Sequence, residues 1–281
     1  MQTFDTVESL RKYVSQYRKL GETIGFVPTM GALHAGHLAL VRRCKQENDL
    51  AVCSIYVNPA QFNSGEDLAN YPRTLEADRQ LLQGAGCDVL FAPTDAQMYP
   101  QPAHLKMDFG SLETVLEGRF RPGHFNGVGI VVAKLFHIVQ PGAAYFGQKD
   151  LQQCLVVRQL IRDLSFPIEM KIHPTVREAD GLAMSSRNRR LASAQRAAAP
   201  LLYQALLGAR EILANGGTVE SARETVRIQL LQSSEIRLEY FEVTDSQSLA
   251  EITSATVPPP YALCIAAHLG SVRLIDNLLV E

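Results

Sequence analysis

The apolar residues of the first part of the chain follow two alternating patterns. Short continuous apolar runs predict strands that are buried on both faces, as in a parallel sheet. Apolar residues spaced three or four positions apart predict helices between these strands. The predicted strands cover residues 23–27, 51–57, 88–92, 143–146 and 168–172. The predicted helices cover residues 6–20, 72–84, 125–139 and 150–163, and another begins near residue 37.

The pattern changes after about residue 175, where two helices are predicted in succession. These helices cover residues 194–215 and 218–233. Three strands follow, near 236–244, 261–268 and 271–277, and the prolines at 258–260 interrupt any regular element between the first two. Consecutive helices followed by consecutive strands are typical of an α+β unit.

The two patterns predict an α/β protein with two domains. Residues 1–175 are expected to form a Rossmann-like doubly wound parallel sheet with helices on both faces. Residues 176–281 are expected to form a smaller C-terminal α+β domain, which could act as a lid. The segment from 178 to 190 joins the two and contains Gly181, so it is the candidate hinge or lid.

Composition narrows the class of protein without naming a reaction. The chain has 281 residues, of which 46% are hydrophobic and 20% charged, and its net charge is −2. A general nucleic-acid binder usually carries a basic excess, so no nucleic-acid partner is expected. The five cysteines are scattered, without zinc or redox spacing, and their odd number fits a reducing compartment. With no signal-peptide pattern and no membrane-length apolar run, we expect a cytoplasmic protein without a membrane partner.

Two histidines lie where the first predicted strand becomes a helix. His34 and His37 are three residues apart, so both rings are expected on one side of the helix start. Main-chain N–H groups there are unpaired in an isolated helix and attract anions. Gly31 and Gly36 allow close approach of a ligand. Contact with a polyphosphate, a capping role and a metal site all remain open from these residues alone.

A second strand end offers a cation. Lys149 follows Gly147 at the end of the predicted strand 143–146, where an ammonium group suits a phosphate. Asp150 could cap the next helix, accept from a ribose hydroxyl or hold Mg²⁺. In a parallel sheet, this strand end lies on the same edge as the histidine pair, which favours one shared site.

A third cluster places hydroxyl groups beside a guanidinium. Ser185, Ser186 and Arg187 could surround a phosphate chain, although a helix cap or a basic nucleic-acid patch would have the same composition. The patch is isolated in a chain of negative net charge. There is no P-loop motif and no Gly-x-Gly-x-x-Gly after the first strand, which disfavours both a P-loop enzyme and a dinucleotide-binding protein.

Neutral and acidic candidates complete the set. Asn58, Gln61 and Gln153 are amides near strand or helix ends, where they could orient hydroxyls and carboxylates, while a simple turn would explain Asn58 equally well. Asp78 lies in the first turns of the helix at 72–84, where a carboxylate is stabilising without any ligand. Asp78 is therefore only a weak candidate for a metal, and the metal ligands remain unknown.

Six motifs in this order resemble the pantothenate synthetase (pantoate–β-alanine ligase) family of HIGH-motif nucleotidyltransferases, over nearly the full chain. The matching motifs are Pro28–His37, Val57–Phe62, Tyr71–Thr74, Arg121–Phe125, Phe146–Asp150 and Met184–Asn188. Single motifs also occur in related nucleotidyltransferases and in class I aminoacyl-tRNA synthetases. The ordered set is specific to the ligase family.

The resemblance implies a reaction and a set of substrates. ATP would activate pantoate as pantoyl adenylate with release of pyrophosphate, and the amine of β-alanine would then displace AMP to form pantothenate. The implied small molecules are ATP with Mg²⁺, pantoate and β-alanine, and the family is usually a homodimer. A transferase that stops at adenylyl transfer is the nearest alternative, and an RNA-binding module using residues 185–190 is the alternative from another class.

The resemblance also implies roles for individual residues. It assigns catalysis to His37 as proton donor, with His34 and Lys149. It assigns ATP binding to Met30, Gly31, Ala32, Leu33, His34, Ala35, Gly36, His37, Gly147, Gln148, Lys149, Asp150, Val176, Met184, Ser185, Ser186 and Arg187. It assigns pantoate and β-alanine binding to Gln61 and Gln153, with Asn58 beside them.

Overall fold

The computed structural model describes residues 1–63, 65–253 and 257–281, and it contains two sheets. The first sheet is parallel and has six strands in the order β1-β4-β3-β2-β5-β6. The second is antiparallel in the order β7-β8-β9. The strands are β1 (Gln2–Phe4), β2 (Ile24–Thr29), β3 (Leu50–Ile55), β4 (Val89–Phe91), β5 (Ala143–Gly147), β6 (Glu169–His173), β7 (Ile236–Asp245), β8 (Tyr261–Leu269) and β9 (Val272–Val280).

Helices connect the parallel strands and cover one face of the second sheet. They are α1 (Val7–Lys19), α2 (Ala35–Glu47), α3 (Gly65–Ala69), α4 (Leu75–Gly84), α5 (Asp95–Met98), α6 (Leu116–Phe120), α7 (His124–Val139), α8 (Leu151–Asp163), α9 (Ser193–Ala198), α10 (Leu201–Ala214) and α11 (Val219–Leu230). Short 3-10 turns lie at Pro59–Gln61, Gln148–Asp150 and Ser186–Arg190. The predicted Rossmann-like sheet with a smaller α+β part is therefore confirmed.

Sheet order determines where a ligand can enter. From β2, the chain continues to β3 on one side and later returns to β5 on the other side. The connections that leave the carboxyl ends of β2 and β5 therefore diverge, and a crevice opens between them. The β2–α2 turn carries His34, and the β5–α8 turn carries Lys149. Both candidate phosphate-binding segments thus face the same crevice.

Several details differ from the predicted elements, and the short helices α3, α5 and α6 were not predicted. Strand β1 was not predicted, because its three residues are too few to show a hydrophobic period, and it pairs with β4 at the sheet edge. Helix α4 begins at Leu75 rather than near Pro72. The predicted helix at 194–215 is two helices, since Pro200 has no N–H to continue the hydrogen-bond ladder.

Apolar packing forms one main interior around each sheet, and the interior of the first sheet also includes residues of β8. The first interior fills both faces of the parallel sheet, with Phe26 and Val52 against α7 and α8, and Val27 and Cys53 against α2. The second interior joins α10 and α11 to the antiparallel sheet. Within the described ranges, no helix combines the length and apolar character needed to cross a bilayer.

A buried ion cluster joins the two parts. Arg273 of β9 donates to both carboxylate oxygens of Glu117 of α6 at 2.7 Å, and its Nε donates to Glu239 of β7 at 2.8 Å. Tyr240 donates to the same Glu117 at 2.8 Å. Burial would raise the pKa of Glu117, but the paired Arg273 guanidinium outweighs it and lowers that pKa. The antiparallel sheet is thus anchored by charge beside the crevice.

Close helix packing generates a stability prediction. A Cβ at Gly127 of α7 would overlap the main-chain carbonyl of Ala60, with its carbon atom only 2.6 Å away. We expect Gly127→Ala to lower the free energy of unfolding by about 1–3 kcal/mol, because main chain must move. At Gly84 of α4 the same substitution meets open space, so Gly84→Ala is the matched control and should not destabilise. Equal urea midpoints for Gly127→Ala and the parent chain would contradict the packing.

Candidate active site

One cavity occupies the crevice between β2 and β5 and is closed on its outer side by the segment after β6. Most of the residues proposed from the sequence line it. These are Met30, His34, Gly36, His37, Gln61, Gly147, Lys149, Asp150, Gln153, Val176, Met184, Ser185, Ser186 and Arg187. The folded chain therefore brings the histidine, lysine and serine–arginine clusters together around one space.

The two histidines cap the start of α2 with their own rings. The N–H of Gly36 donates to His34 Nδ1 at 3.2 Å, and the N–H of His34 donates to His37 Nδ1 at 3.4 Å. The ring centroids are 4.0 Å apart. Because each Nδ1 accepts a hydrogen bond, the proton of each neutral ring lies on Nε2. Both rings therefore keep one donor, Nε2–H, for a ligand.

Electrostatics keep these rings neutral at neutral pH. Burial, followed by the nearby Lys149 ammonium, lowers the pKa of His34 to about 4. Burial, followed by His34 and Lys149, lowers the pKa of His37 well below its ordinary value. A Cβ at Gly36 would lie 3.0 Å from the His34 ring, so glycine leaves the room that this capping ring needs.

The main-chain amides before α2 are already occupied, which corrects the expectation that they are free for an anion. Gly31 N–H donates to Thr29 Oγ1 at 3.2 Å, and the N–H groups of Ala32 and Leu33 donate to the Asp78 carboxylate at 2.9 and 2.8 Å. In the described chain, the cavity wall also leaves out five residues assigned to ATP. They are Gly31, Ala32, Leu33, Ala35 and Gln148.

Asp78 has a different task from the metal binding considered above. Its side chain is almost completely buried, and its oxygens accept from Ala32, Leu33 and the Thr74 hydroxyl. Gly31 approaches it closely with φ at +81°, in the left-handed region where a Cβ would lie 3.1 Å from an Asp78 oxygen. The carboxylate therefore holds the β2–α2 turn with both oxygens, a geometry that does not favour the metal-binding role for which Asp78 was only a weak candidate.

The amide candidates separate into one wall residue and one supporting residue. Gln61 lines the cavity, whereas Asn58 is buried outside its wall and bonded to protein, so the substrate-binding role of Asn58 stays a prediction that this geometry does not favour. Asn58 Nδ2 donates to Gln61 Oε1 at 3.2 Å and to the Gly127 carbonyl at 3.1 Å, and its Oδ1 accepts from Tyr99 at 3.0 Å. Asn58 thus positions Gln61 from behind.

A histidine that the sequence left unexplained supports Gln61 from the other side. His124 Nδ1 lies 2.8 Å from the Gln61 carbonyl, so Nδ1 carries the proton and donates. Its Nε2 lies 3.3 Å from Arg121 Nη1, which donates to it. Burial, followed by the Arg121 charge, lowers the pKa of His124 to about 4. The ring is therefore a neutral brace for the Gln61 turn.

The segment after β6 closes over the histidines. Ser185 caps the turn at Ser186–Arg190, and Asn188 Nδ2 donates to the Glu178 carboxylate at 2.9 Å. Arg189 Nη2 donates to the Leu33 carbonyl of the β2–α2 turn at 3.2 Å. The serine–arginine cluster is thus fastened directly to the β2–α2 turn.

Comparisons with known proteins agree along the whole length. The pantoate–beta-alanine ligase family model matches residues 2–279. The chain is 47% identical to the pantothenate synthetases of Cytophaga hutchinsonii and Herpetosiphon aurantiacus, with 100% of this chain covered and 99% and 100% of those proteins. The chain belongs to the pantoate–β-alanine ligase family. The activity implied by the six motifs, joining pantoate to β-alanine, is thereby confirmed.

Solved structures of relatives carry the same fold as this ligase. Pantothenate synthetase from Thermus thermophilus superposes with a TM-score of 0.93 at 47% identity, and 99% of each chain is covered. The Francisella tularensis pantoate–beta-alanine ligase, complexed with beta-gamma ATP and beta-alanine, superposes with a TM-score of 0.82 at 34% identity. That match covers 99% of this chain and 97% of the Francisella chain.

Some wall residues of the ligase were not predicted as site residues. Tyr71 and Arg121 were noted only inside motifs, and Asp276 and Asn277 were not noted at all. The last two lie on β9, more than a hundred residues beyond the nearest candidate of the first sheet. A local sequence pattern could not identify Asp276 and Asn277 as wall residues. Their only signal in the sequence is that they are polar residues within an otherwise apolar strand.

The Asp78 assignment generates a prediction that separates support from metal binding. We expect Asp78→Asn to lower the free energy of unfolding by about 1–3 kcal/mol, since an amide turns a donor toward Ala32 or Leu33 N–H. Turnover should fall while the Mg²⁺ concentration for half-maximal rate stays unchanged. A magnesium titration of both proteins measures this, and a large rise in the magnesium requirement would restore the metal role.

The buried histidines generate a pH prediction. Their ordinary pKa is 6.5, and in the folded chain it is about 4 for His34 and His124. Between these values the unfolded chain binds more protons, so stability is complete above about pH 6.5 and is lost as the pH falls toward 4. We expect His124→Gln, whose amide can still donate to Gln61, to reduce this slope by up to about 1.4 kcal/mol per pH unit. Urea denaturation across that range measures it, and an unchanged slope would contradict the buried neutral ring.

Proposed function

We propose that this cavity binds ATP, pantoate and β-alanine together and carries out both halves of the ligase reaction. The observation that carries the proposal is the convergence of neutral histidine donors, Lys149 and the Ser185–Arg187 cluster around one space beside Gln61 and Gln153. The Francisella relative complexed with beta-gamma ATP and beta-alanine supports the choice of ligands. Two cationic walls suit a polyphosphate, and two neutral amides suit a hydroxy acid.

In the first half, a pantoate carboxylate oxygen attacks the α-phosphorus of ATP. The new P–O bond forms as the bond to the β-phosphate oxygen breaks, and pyrophosphate leaves with the electron pair. Negative charge grows on the phosphate oxygens, so catalysis consists mainly of positioning and electrostatic stabilisation. We assign this stabilisation to the ammonium of Lys149 and to Nε2–H of His37 and His34.

Neutral rings suit this task better than charged ones. A neutral ring donates Nε2–H to a phosphate oxygen while its Nδ1 accepts a main-chain N–H, whereas a proton on Nδ1 would break that cap. Preorganised donors of this kind each contribute on the order of 3 kcal/mol at a transition state. Nδ1 of His37 is occupied by the His34 N–H, which leaves Nε2–H to donate, and the family resemblance supports His37 as the principal donor.

The nucleotide and the acid would lie in separate parts of the cavity. Ser185, Ser186 and Arg187 are proposed to bind the β- and γ-phosphates, and Gly147 and Asp150 the ribose. The adenine is proposed to contact the main-chain N–H of Val176, whose carbonyl already accepts from Met184 at 3.0 Å. Pantoate is proposed to lie between Gln61 and Gln153, which would hold its hydroxyls and carboxylate through their amides.

In the second half, the amine of β-alanine attacks the carbonyl carbon of the adenylate. A C–N bond forms, the C–O bond to the phosphate breaks, and AMP leaves as the amine loses its proton. Pantoyl adenylate is labile in water, so closure of the 178–190 segment over the cavity would protect it. The Arg189 contact with Leu33 supports that protective role.

Mg²⁺ is proposed to enter with ATP rather than to occupy a protein cage. Among the described residues, no group of three or more potential ligand side chains is arranged around one point. The carboxylates of Glu117 and Asp276 are paired with arginines, and that of Asp150 lies 3.5 Å from the Lys149 ammonium, so each acidic wall residue already has a cationic partner. Mg²⁺ usually keeps phosphate oxygens and waters as most of its ligands, and it would neutralise phosphate charge there.

Three coarser expectations complete the proposal. The division at residue 175 into two domains is supported by the interior that joins α10 and α11 to the antiparallel sheet. A cytoplasmic location is supported by five buried free thiols, which suit a reducing compartment. The homodimer rests on the resemblance to the family alone.

The proposed roles generate a kinetic prediction. We expect His37→Ala and Lys149→Ala each to slow adenylate formation at least about tenfold, because each removes a donor that acts on growing charge. Single-turnover release of pyrophosphate from ATP and pantoate, without β-alanine, measures that half-reaction. The surface variant Lys12→Ala is the matched control for loss of a lysine charge. Unchanged rates for His37→Ala and Lys149→Ala would refute their roles.

A product assay separates the ligase from an adenylyl transferase that stops after the first half. AMP formation should require pantoate and β-alanine together, and pantothenate should accumulate in equal amount. Release of AMP with neither acceptor, or a retained adenylyl product without an amide, would contradict the proposal.

A further inference from the structure

The turn that carries Lys149 is held by a residue of the second sheet. Asn277 lies on β9, and its Nδ2 donates to the main-chain carbonyls of Gln148 at 3.0 Å and Lys149 at 2.8 Å. The Asn277 side chain lies in the cavity wall, and the residue is only 3% exposed. Two hydrogen bonds to successive carbonyls fix the orientation of the peptide between them, and hence the direction in which the lysine leaves the main chain.

Asn277 is in turn held by a buried ion pair. Its N–H donates to Asp276 Oδ1 at 2.8 Å. The Asp276 carboxylate also accepts hydrogen bonds from both Nη groups of Arg177 at 2.6 and 3.0 Å. Arg177 Nη2 also donates to the Asn277 carbonyl at 3.3 Å, and its guanidinium lies 3.6 Å above the Tyr203 ring. This bidentate pair with its aromatic support is rigid, so Asn277 has little freedom to move alone.

The location of this contact couples the two sheets. Lys149 belongs to the turn after β5 of the parallel sheet, whereas Asn277 belongs to the antiparallel sheet and Arg177 to the connection between the sheets. The geometry of the lysine therefore depends on how the second sheet is seated. A displacement of about 1 Å in a positioning group can cost on the order of a hundredfold in rate.

We propose that Asn277 is a positioning residue for adenylation, which acts through Lys149 by holding the main chain of the Gln148–Lys149 turn. This inference rests on the proposed function of Lys149. Asn277 aligns the ammonium with the phosphate chain only while the antiparallel sheet is docked beside the crevice. The adenylation of pantoate therefore depends on the position of the antiparallel sheet relative to the β5–α8 turn.

Two substitutions remove the donors in different ways. Asn277→Ala deletes them without adding charge, and Asn277→Asp keeps the shape but offers only acceptors to two carbonyls. We expect each variant that folds to slow single-turnover adenylate formation about tenfold or more, with the KM for pantoate changed less than about threefold. If one variant fails to fold by circular dichroism, the other supplies the measurement. A full adenylation rate in a folded variant would overturn the inference.

A double-mutant cycle with Lys149→Ala tests whether the effect passes through the lysine. If it does, adding Asn277→Ala to Lys149→Ala should slow the reaction further by less than about twofold. Multiplication of the two single effects would overturn the inference and leave the lysine role intact. No effect of Lys149→Ala alone would refute the proposed function, and this inference with it.

A carboxylate inside the antiparallel sheet offers a matched control. Glu239→Gln weakens contacts with Arg273 and His268 within that sheet, and it leaves both the Arg273–Glu117 pair that seats the sheet and the Lys149 turn in place. This variant should lose stability while its adenylation rate stays within about twofold of the parent rate. A slowing equal to that of Asn277→Ala would show a general seating defect and would overturn the specific role of Asn277.

Discussion

The carboxylate of Asp78 accepts hydrogen bonds from the main-chain N–H groups of Ala32 and Leu33, and the geometry of the active site depends on this buried contact. It satisfies amides that would otherwise be orphaned as the chain passes from β2 to α2. It also holds these residues in a tight turn, from which His34 and His37 extend into the crevice. Loss of this anchor would therefore loosen the turn from which both rings extend.

The main-chain N–H groups before and at the start of α2 donate to Asp78 and to the histidine rings, so they are not available to bind an anion. A helix start is commonly an anion site because its main-chain donors are free. In this protein, main-chain N–H groups at the helix start donate to Nδ1 of the two histidine rings. The groups that remain available to a ligand are the Nε2–H donors of those rings. Burial and the nearby Lys149 keep the rings neutral, so positive charge is concentrated on the lysine and on Arg187. Polarity and charge are thus supplied by different groups.

A further set of buried polar residues supports the groups that are proposed to bind the substrates. Asn58 and His124 hold Gln61 from opposite sides, and Asn277 holds the Lys149 turn from the antiparallel sheet. Each is buried, and each uses its polar atoms on the main chain or side chain of a wall residue. Such supports place a functional group to within fractions of an ångström, which is the precision that electrostatic stabilisation requires.

The sequence alone determined the alternating strand and helix elements, the two-part organisation and the six ordered motifs, because these depend on local spacing and residue type. It also identified His34, His37, Lys149 and Gln61 as groups lining one crevice, since parallel strands bring their carboxyl ends to a single edge. Only the tertiary structure decided that Asp78 is a support, because the partners of a buried carboxylate are set by packing across the fold. The same reason applies to Asn277: its hydrogen bonds join residues 128 and 129 positions apart, a separation at which local patterns carry no information.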